Sequence, residues 1–334
     1  MMEKRAGLIF LIAAALLLLG GCMKPSSPLP PTAAFSVEAS HGYLYAPLEV
    51  RCDASASVDP DGQITQYVWR FGDGATGSGK TPTHTYTAAG DYTITLRVDD
   101  AAGNDATATA EIHVLPVGSD QLLRRYTWTY GGEDEAMELL LPKALYETYH
   151  NQPRTPLVGD YNYDDYVNAP RDDPTLEDVA NKLNDRIGGA GGLTFAKLAL
   201  SFIQGAIAYV PDKPGFEYPL YPLETLVDKG GDCEDTTILY VSLLRALGIH
   251  VTMAFVDTDG DALPDHVLGL VPVPSAAGLG MNCPDGCVPG IWSIGGQLYA
   301  VAETAVDPTH DGYIPLGCDP WGIGPGAIKQ RWDY

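Results

Sequence analysis

The sequence predicts two domains of different class, an all-β domain followed by an α+β domain. In residues 33–117, apolar and polar residues alternate between turn signals, most clearly at residues 92–98, and such alternation is typical of half-buried strands. From residue 120 onward, segments with apolar residues at three- and four-residue spacing are interspersed with strand-like segments. This order favours helices packed on an antiparallel sheet. At 334 residues the chain is long enough for each domain to bury its own core.

The N-terminal segment is typical of export. Two basic residues precede an apolar run over residues 6–19, which leads into Leu-Gly-Gly-Cys ending at Cys22. This tetrapeptide resembles a prokaryotic lipobox, in which the cysteine is lipidated after cleavage before it. The run is shorter than the about 20 residues that span a bilayer, which argues against an uncleaved anchor. We therefore expect a lipoprotein signal peptide at residues 1–21, lipidation at Cys22 and a Pro/Ser-rich tether over residues 22–32.

Composition bears on location and partners. The formal net charge is −23 at pH 7, and phosphate binding needs a basic stripe that this sequence lacks. The charge therefore argues against nucleic acid as a partner, and an acidic surface fits a solvated extracytoplasmic protein. With the predicted lipid, the chain would be a membrane-anchored lipoprotein at the prokaryotic cell surface.

The motifs of the first domain resemble those of a known module. They are DASAS, YVWRFGDG, HTY and GDY, at residues 53–57, 67–74, 84–86 and 90–92. As a set they resemble PKD (polycystic kidney disease-type) domains. The resemblance implies an immunoglobulin-like β-sandwich that serves as a spacer or adhesion module and carries no catalytic residues. Trp69 and Phe71 are then expected in the core, with Cys52 at an apolar core position.

Periodicity and turn signals predict the elements of the second domain. The expected order is paired strands at 126–130 and 137–141 around a Gly-Gly turn, a loop rich in Asp and Tyr at 159–173, helices at 175–187 and 194–209, a helix after residue 232, and strands at 249–256, 266–273 and 298–303.

A cysteine lies at the start of the helix that follows residue 232. Residues 230–235 read GGDCED, after which apolar residues recur at helical spacing until Gly248. Asp232 can accept hydrogen bonds from the first N–H groups of this helix. The positive end of a helix lowers a thiol's pKa, which makes Cys233 a candidate nucleophile. The alternative is a small buried core residue, and the three acidic neighbours oppose thiolate formation by charge alone.

A cysteine nucleophile needs a base and a group that orients the base. His266 opens a predicted strand, where it would project from the sheet edge beside a helix N-terminus. Glu303 ends the last predicted strand, and Asp307 lies four residues further on. Either carboxylate could reach the imidazole.

Several motifs together resemble the transglutaminase-like superfamily, and more closely its prokaryotic cysteine-proteinase-like branch. The resemblance covers about residues 120–320 and rests on GDCED, LLRALGI, DHV and AET at 231–235, 243–249, 265–267 and 302–304, with the approach sequences FIQ and YPLETL at 202–204 and 221–226. It implies a papain-like Cys-His-Asp/Glu triad.

By position in these motifs, the resemblance makes Cys233 the nucleophile, His266 the base and Glu303 the orienting acid. It also makes Gln204 an oxyanion-hole donor beside the backbone N–H of Cys233. Many members carry Asp-Pro-Thr where this chain has Glu-Thr-Ala, and an Asp-Pro-Thr begins here only at Asp307. Glu303 is favoured because it directly ends the strand, and Asp307 stays the alternative.

An acidic loop lies immediately before His266. Asp257, Asp259, Asp261 and Asp265 stand at positions 1, 3, 5 and 9 of this loop, a spacing typical of calcium loops, although the distal Glu of an EF-hand is missing. The loop resembles the Asp-rich calcium repeats of extracellular proteins. A structural Ca²⁺ would order the chain leading to His266, whereas a solvated acidic hairpin is the alternative. The chemistry itself would need no cofactor.

The remaining cysteines form a C-terminal trio, Cys283, Cys287 and Cys318, in Pro/Gly-rich loops. In an oxidising compartment one pair among them could form a disulfide. Three thiols fall short of the four ligands of a structural zinc site.

Two functions from different classes remain open. The first is a surface-anchored, cysteine-dependent acyl-transfer enzyme of peptidase, amidase or transglutaminase type. It would act on the amides of a protein or peptide substrate, with cell-envelope proteins as candidates, and its acyl acceptor would be water or an amine. The second is a non-catalytic cell-surface adhesion or binding protein on a degenerate transglutaminase-like scaffold.

Overall fold

The chain falls into two compact units, Met1–Gly118 and Ser119–Tyr334. The computed structural model describes residues 28–153, 163–168, 174–212, 218–280, 282–305 and 313–334. The predicted signal peptide, the lipidation residue Cys22 and the alternative triad acid Asp307 lie outside the described residues. The prediction of an all-β domain followed by an α+β domain is confirmed.

The first unit is a sandwich of two antiparallel sheets. Its strands are β1 (Ser36–Ala39), β2 (Leu48–Asp53), β3 (Ile64–Arg70), β4 (Thr76–Ser78), β5 (Thr83–Tyr86), β6 (Gly90–Asp100) and β7 (Asp105–Val114). One sheet has the order β1-β2-β5 and the other the order β4-β3-β6-β7. The alternation along β6 buries Ile94, Leu96 and Val98, which share one core with residues of the other sheet.

The aromatic motif residues of the first unit lie in its core, as predicted. Trp69 and Phe71 are buried, and Trp69 Nε1 donates a hydrogen bond to the carbonyl of Gly79 at 2.8 Å. Cys52 is also buried, and burial raises the pKa of its thiol to about 12. A thiol with that pKa stays protonated and acts as an apolar residue.

The second unit combines helices with a central antiparallel sheet. Its helices are α1 (Lys143–His150), α2 (Asp164–Asn168), α3 (Thr175–Arg186), α4 (Gly192–Ala206), α5 (Pro222–Asp228) and α6 (Cys233–Ala246). Its strands are β8 (Gln121–Tyr130), β9 (Glu133–Pro142), β10 (Ala208–Tyr209), β11 (Gly230–Gly231), β12 (Thr252–Val256), β13 (His266–Val273), β14 (Val288–Pro289), β15 (Ile291–Ile294), β16 (Gln297–Ala302), β17 (Cys318–Asp319) and β18 (Ile328–Asp333). The central sheet has the order β15-β16-β13-β12-β18.

Helix α6 lies in the core of this unit. Its residues from Glu234 to Leu244 are all buried. The helix packs closely on β13 because Gly269 has no side chain. A Cβ at this position would lie 3.1 Å from the ring of Tyr240, tighter than ordinary van der Waals contact. The sheet therefore supports the helix that begins at Cys233.

The predicted hairpin is confirmed, with longer strands than the pattern indicated. Strands β8 and β9 pair antiparallel from Gln121↔Pro142 to Tyr130↔Glu133. The two intervening residues, Gly131 and Gly132, have φ values of 63° and 85°. Two residues of positive φ connect strands with the correct twist, and glycine adopts them without strain.

Three helices are additional to the predicted elements. Helix α2 lies within the segment predicted as a loop, and α1 and α5 were not predicted. With five, eight and seven residues, they are too short for apolar periodicity to be evident. Helix α5 instead begins with Pro222 at its first turn and a bond from the Tyr221 N–H to Glu224 Oε2 at 3.0 Å, both of which favour helix initiation.

Two of the three C-terminal cysteines are joined. A disulfide links Cys283 with Cys318, whose Cα atoms lie 5.5 Å apart, and Cys287 is not disulfide-bonded. Within the described ranges, none of the helices has the length and apolar character needed to cross a membrane.

Candidate active site

Cys233 is the first residue of α6, and the local sequence determines where this helix begins. Asp232 and Asp235 form a capping box, in which the Asp232 N–H donates to Asp235 Oδ2 at 3.3 Å. A Cβ on Gly231 would lie 2.5 Å from the Cβ of Asp235, so only glycine allows this approach. Cys233 therefore lies in the first turn of α6, at the N–H end of the helix.

The sheet brings the predicted histidine and acid together. His266 is the first residue of β13, and Glu303 directly follows β16, which pairs antiparallel with β13. Their side chains meet through a 2.8 Å contact between His266 Nε2 and Glu303 Oε2. Cys233 also acts on the imidazole, since it contributes to the raised pKa of His266. The structure therefore pairs His266 with Glu303, and Cys233 acts on the same imidazole.

The surroundings of His266 favour its protonated form. Burial alone would lower the pKa of the imidazole. The charge of Glu303, and the hydrogen bonds to Cys233 and Glu303, outweigh burial and hold the pKa of His266 well above its usual value. An imidazolium beside Cys233 is the partner that a thiolate needs.

Glu303 is buried and its carboxylate is held on both oxygens. Oε1 accepts the Ala305 N–H at 2.9 Å. Oε2 accepts the indole N–H of Trp321 at 3.1 Å, in addition to the bond from His266. Sequence reasoning missed Trp321, because it lies in a Pro/Gly-rich loop without periodicity.

A row of threonine hydroxyls connects the two chain segments that carry the cysteine and the acid. Thr304 Oγ1 lies 3.0 Å from Thr236 Oγ1 and 2.7 Å from Thr237 Oγ1. Thr304 follows Glu303, and the other two lie in the first turn and a half of α6. These contacts fix the start of α6 to the end of β16. Thr304 is the last residue of the AET motif at 302–304, but no role was predicted for it from the sequence.

The acidic neighbours of Cys233 have different contacts. Cys233 Sγ lies 3.4 Å from Glu234 Oε2. Asp235 accepts the Leu220 N–H at 2.6 Å, and burial together with the charge of Asp232 raises the pKa of Asp235 well above its usual value. Asp235 thus serves the helix start and the preceding loop, which is one physical reason for an acid at this position.

Gln204 is close to Glu303, but its amide is used for backbone contacts. Its Nε2 donates to the carbonyls of Glu303 at 2.5 Å and Ile314 at 3.0 Å, and its Oε1 accepts the Ile314 N–H at 2.9 Å. Both amide hydrogens are therefore used in this structure. This arrangement does not support the predicted oxyanion-hole role and gives Gln204 a place in holding the segment around Glu303.

Three of the four acidic loop residues come together. Carboxylate oxygens of Asp257, Asp259 and Asp261 lie within 4.8 Å of one another, and such oxygen ligands suit Ca²⁺. Asp265 is not part of this group, because its carboxylate accepts the N–H and the hydroxyl of Thr258 at 2.8 and 2.7 Å. Lys329 Nζ lies 3.0 Å from Asp257 Oδ2, and this contact lowers the pKa of Asp257.

Comparison with known proteins identifies the first domain. The family model "PKD domain" matches residues 37–114. A microbial collagenase of Vibrio alginolyticus is 40% identical over 67 residues, and the pre-pro-metalloprotease PrtV of Vibrio cholerae is 38% identical over 79 residues. These matches cover 20% and 22% of this chain, but only 8% and 9% of the relatives. The chain therefore shares one module with them.

Solved structures are similar to one or both parts of the chain. The PKD1 domain of Vibrio cholerae PrtV is 35% identical, with 26% of this chain and 98% of that domain covered and a TM-score of 0.23. A structure described as "a Putative Cysteine Protease from Cytophaga hutchinsonii" is 12% identical, with 82% of this chain and 84% of that chain covered and a TM-score of 0.25. From the family model and its motifs, the first domain of this chain is a PKD domain.

Proposed function

We propose that the second domain is a cysteine-dependent acyl-transfer enzyme that acts on the amides of proteins or peptides. The observation that carries this proposal is the 2.8 Å contact of His266 Nε2 with the buried Glu303, together with the influence of Cys233 on the same imidazole. A nucleophile at a helix N-terminus, a base within hydrogen-bond reach and an acid that orients the base are the parts that nucleophilic catalysis needs. The resemblance of the surrounding motifs to the transglutaminase-like superfamily agrees with these roles.

The first half of the reaction would form a thioester. The Cys233 thiolate attacks the amide carbonyl carbon, and the new C–S bond gives a tetrahedral oxyanion. The backbone N–H of Cys233 at the start of α6 is a candidate donor to that oxyanion. The C–N bond then breaks, and His266 gives its proton to the leaving amine. Glu303 keeps its bond to Nε2 throughout, so that Nδ1 faces the reacting atoms.

The second half would release the acyl group. Neutral His266 takes a proton from a water molecule or an amine, which attacks the thioester carbonyl and expels the Cys233 thiolate. Water gives hydrolysis, and an amine gives a new amide. A defined peptide mixture, incubated with and without an added primary amine and followed by mass spectrometry, would distinguish cleavage from amine incorporation.

The nucleophile can be tested with a matched pair of cysteine variants. Cys233→Ala should abolish peptide turnover and alkylation of the peptide that contains residue 233. Cys287→Ala is the control, since Cys287 is also partly buried and outside the disulfide, and it should keep wild-type turnover. Full turnover in Cys233→Ala, or a wild-type Cys233 that resists alkylation and has no turnover, would refute the proposal.

The contact between Cys233 and Glu234 favours a second function. Cys233 Sγ contacts Glu234 Oε2 at 3.4 Å, and a carboxylate beside a cysteine does not activate it as a nucleophile. In that case the domain would be a non-catalytic adhesion or binding module. Absence of alkylation at Cys233 near neutral pH, in protein that is folded by circular dichroism, would favour this function.

We also propose a structural Ca²⁺ in the aspartate loop, held by Asp257, Asp259 and Asp261. Its role would be to order the chain before His266, and no chemical step passes through it. Calorimetric titration with Ca²⁺ up to millimolar concentration tests the site. A lack of binding heat would remove the proposal.

The N-terminal segment supports a proposal about the location of the protein. We propose that the chain is exported and anchored by a lipid on Cys22, so that the substrate is a protein or peptide outside the cytoplasm. Cys22→Ser should move the protein from the membrane fraction to the soluble extracytoplasmic fraction. Unchanged retention in the membrane fraction would count against lipidation.

A further inference from the structure

Glu303 receives a second side-chain donor that none of the motifs predicts. The indole Nε1 of Trp321 donates to Glu303 Oε2 at 3.1 Å, the same oxygen that accepts the 2.8 Å bond from His266. The indole and imidazole rings form an edge contact with centroids 5.3 Å apart and planes at 60°. Although Trp321 is 40% exposed, it thus contacts two members of the triad.

The backbone that carries Trp321 is held by a buried carboxylate. Asp319 is 1% exposed. Its Oδ1 accepts the N–H of Trp321 at 2.9 Å and that of Gly322 at 3.0 Å. An aspartate that bonds the N–H groups two and three residues ahead fixes a turn. The turn that Asp319 fixes therefore sets the direction in which the side chain of Trp321 points.

The same turn is anchored to the rest of the domain just before Asp319. Strand β17 pairs with β14, and Cys318 within β17 forms the disulfide with Cys283. A loop tryptophan at the surface would ordinarily sample several positions. Here the strand pair, the disulfide and the aspartate turn each restrict the segment over residues 318–322. We name this segment the tryptophan turn.

We propose that Trp321 is a positioning residue, which holds the Glu303 carboxylate in the orientation that His266 requires; this inference rests on the proposed function. The physical reason is that each carboxylate oxygen then has a donor besides His266, namely the Ala305 N–H on Oε1 and the indole N–H on Oε2. When His266 loses its charge during the reaction, the ion-pair attraction is lost. The carboxylate would still be aligned, ready to orient the imidazole again.

The ionisable groups around this contact must be considered in any test. Cys233 on α6 and Glu303 after β16 act on His266. Asp319 in β17 faces Glu303, and burial followed by the charge of Glu303 raises the pKa of Asp319. A variant that changes only the indole N–H leaves Cys233, His266, Glu303 and Asp319 in place.

Two substitutions separate the indole N–H from the bulk of the ring. Replacement of Trp321 by 3-benzothienylalanine keeps the bicyclic ring and removes the donor, whereas Trp321→Phe removes the donor and part of the ring. Trp332→Phe is the control, because Trp332 lies in β18 and packs edge-on against Phe255 with centroids 5.2 Å apart. All variants are made in the full chain and tested for folding by thermal unfolding.

The first measurement does not require turnover. The pKa of His266 is followed by NMR of ¹³C-labelled histidine, with the resonance assigned from a His266→Gln spectrum. We expect the benzothienyl variant to have a His266 pKa lower by about one unit, because the carboxylate leaves Nε2 part of the time. Trp332→Phe should show the wild-type value. An unchanged or raised His266 pKa in the benzothienyl variant would overturn the proposal.

The second measurement uses peptide turnover where the wild type is active. The benzothienyl variant should lose about tenfold in kcat with KM unchanged, because the substrate does not contact the indole N–H in this proposal. If kcat falls in Trp321→Phe but is unchanged in the benzothienyl variant, the ring acts by packing alone. That result would also overturn the proposal. An inactive wild type with a normal pKa response would instead contradict only the proposed function.

Discussion

The charge of Glu303 should determine the proton affinity of His266, and Glu303→Gln tests this with little change in shape. Glutamine keeps a carbonyl oxygen that can accept from Nε2, but it removes the negative charge. A hydrogen bond to a charged group contributes about 1.5–3 kcal/mol, and one pKa unit corresponds to about 1.4 kcal/mol. We therefore expect the His266 pKa to fall by about 1–2 units, since Cys233 alone then opposes the effect of burial.

The same substitution makes a prediction about stability and pH. His266 has a raised pKa in the folded protein, so it binds its proton more tightly when folded than when unfolded. The resulting stabilisation is fully present below the unfolded pKa of about 6.5 and is lost as pH rises through the folded pKa. The stability advantage of the wild type over Glu303→Gln should therefore be largest near pH 6 and decrease at higher pH.

Both effects can be measured on the folded protein without a substrate. NMR of labelled histidine gives the pKa, and urea unfolding at several pH values gives the free energy of unfolding. His84→Gln in the first domain is a control for loss of an imidazole that pairs with an aspartate elsewhere. An unchanged His266 pKa in Glu303→Gln, or a stability difference that is constant between pH 6 and 9, would refute the reasoning.

Three further predictions concern the support of the site. Gly269→Ala should destabilise the second domain by about 1–3 kcal/mol in urea unfolding, because its methyl group would press on the ring of Tyr240; wild-type stability would contradict this close packing. Joint replacement of Cys283 and Cys318 by serine should cost about 2–4 kcal/mol, since the closed loop spans 35 residues, and should lower kcat by loosening the tryptophan turn; full kcat would contradict that link. Lys329→Met should strengthen calorimetric Ca²⁺ binding by about tenfold by removing a competing ammonium, and weaker binding would argue against a cation in the loop.

The elements with strong local signals were predictable from sequence. Each of these signals lies within a short stretch of sequence. They are the alternation along β6, the two glycines of the β8–β9 turn and the apolar spacing after Asp232. The start of α6 was predictable for the same reason, because an N-cap aspartate and its preceding glycine are adjacent to Cys233. The pairing of His266 with Glu303 was indicated by the positions of both residues at the ends of predicted strands and by the resemblance of their motifs.

The contacts that complete the site were not predictable from local patterns. Trp321 reaches Glu303 from a loop 18 residues further along the chain. Gln204 bonds to backbone carbonyls 99 and 110 residues away, so its use of both amide hydrogens could not be inferred from a helix-face position. Such contacts depend on how the chain returns to the sheet edge, and loops carry no periodicity from which that path could be inferred.

The threonine contacts between α6 and the end of β16 affect how this site can change in evolution. Cys233 and Glu303 are joined through Thr304 and the first turns of α6, without passing through His266. Loss of the histidine would therefore remove the proposed chemistry and leave these contacts in place. The contacts that hold the scaffold and the side chain proposed as the base are separate here, so a descendant that lost the reaction could keep this surface for recognition.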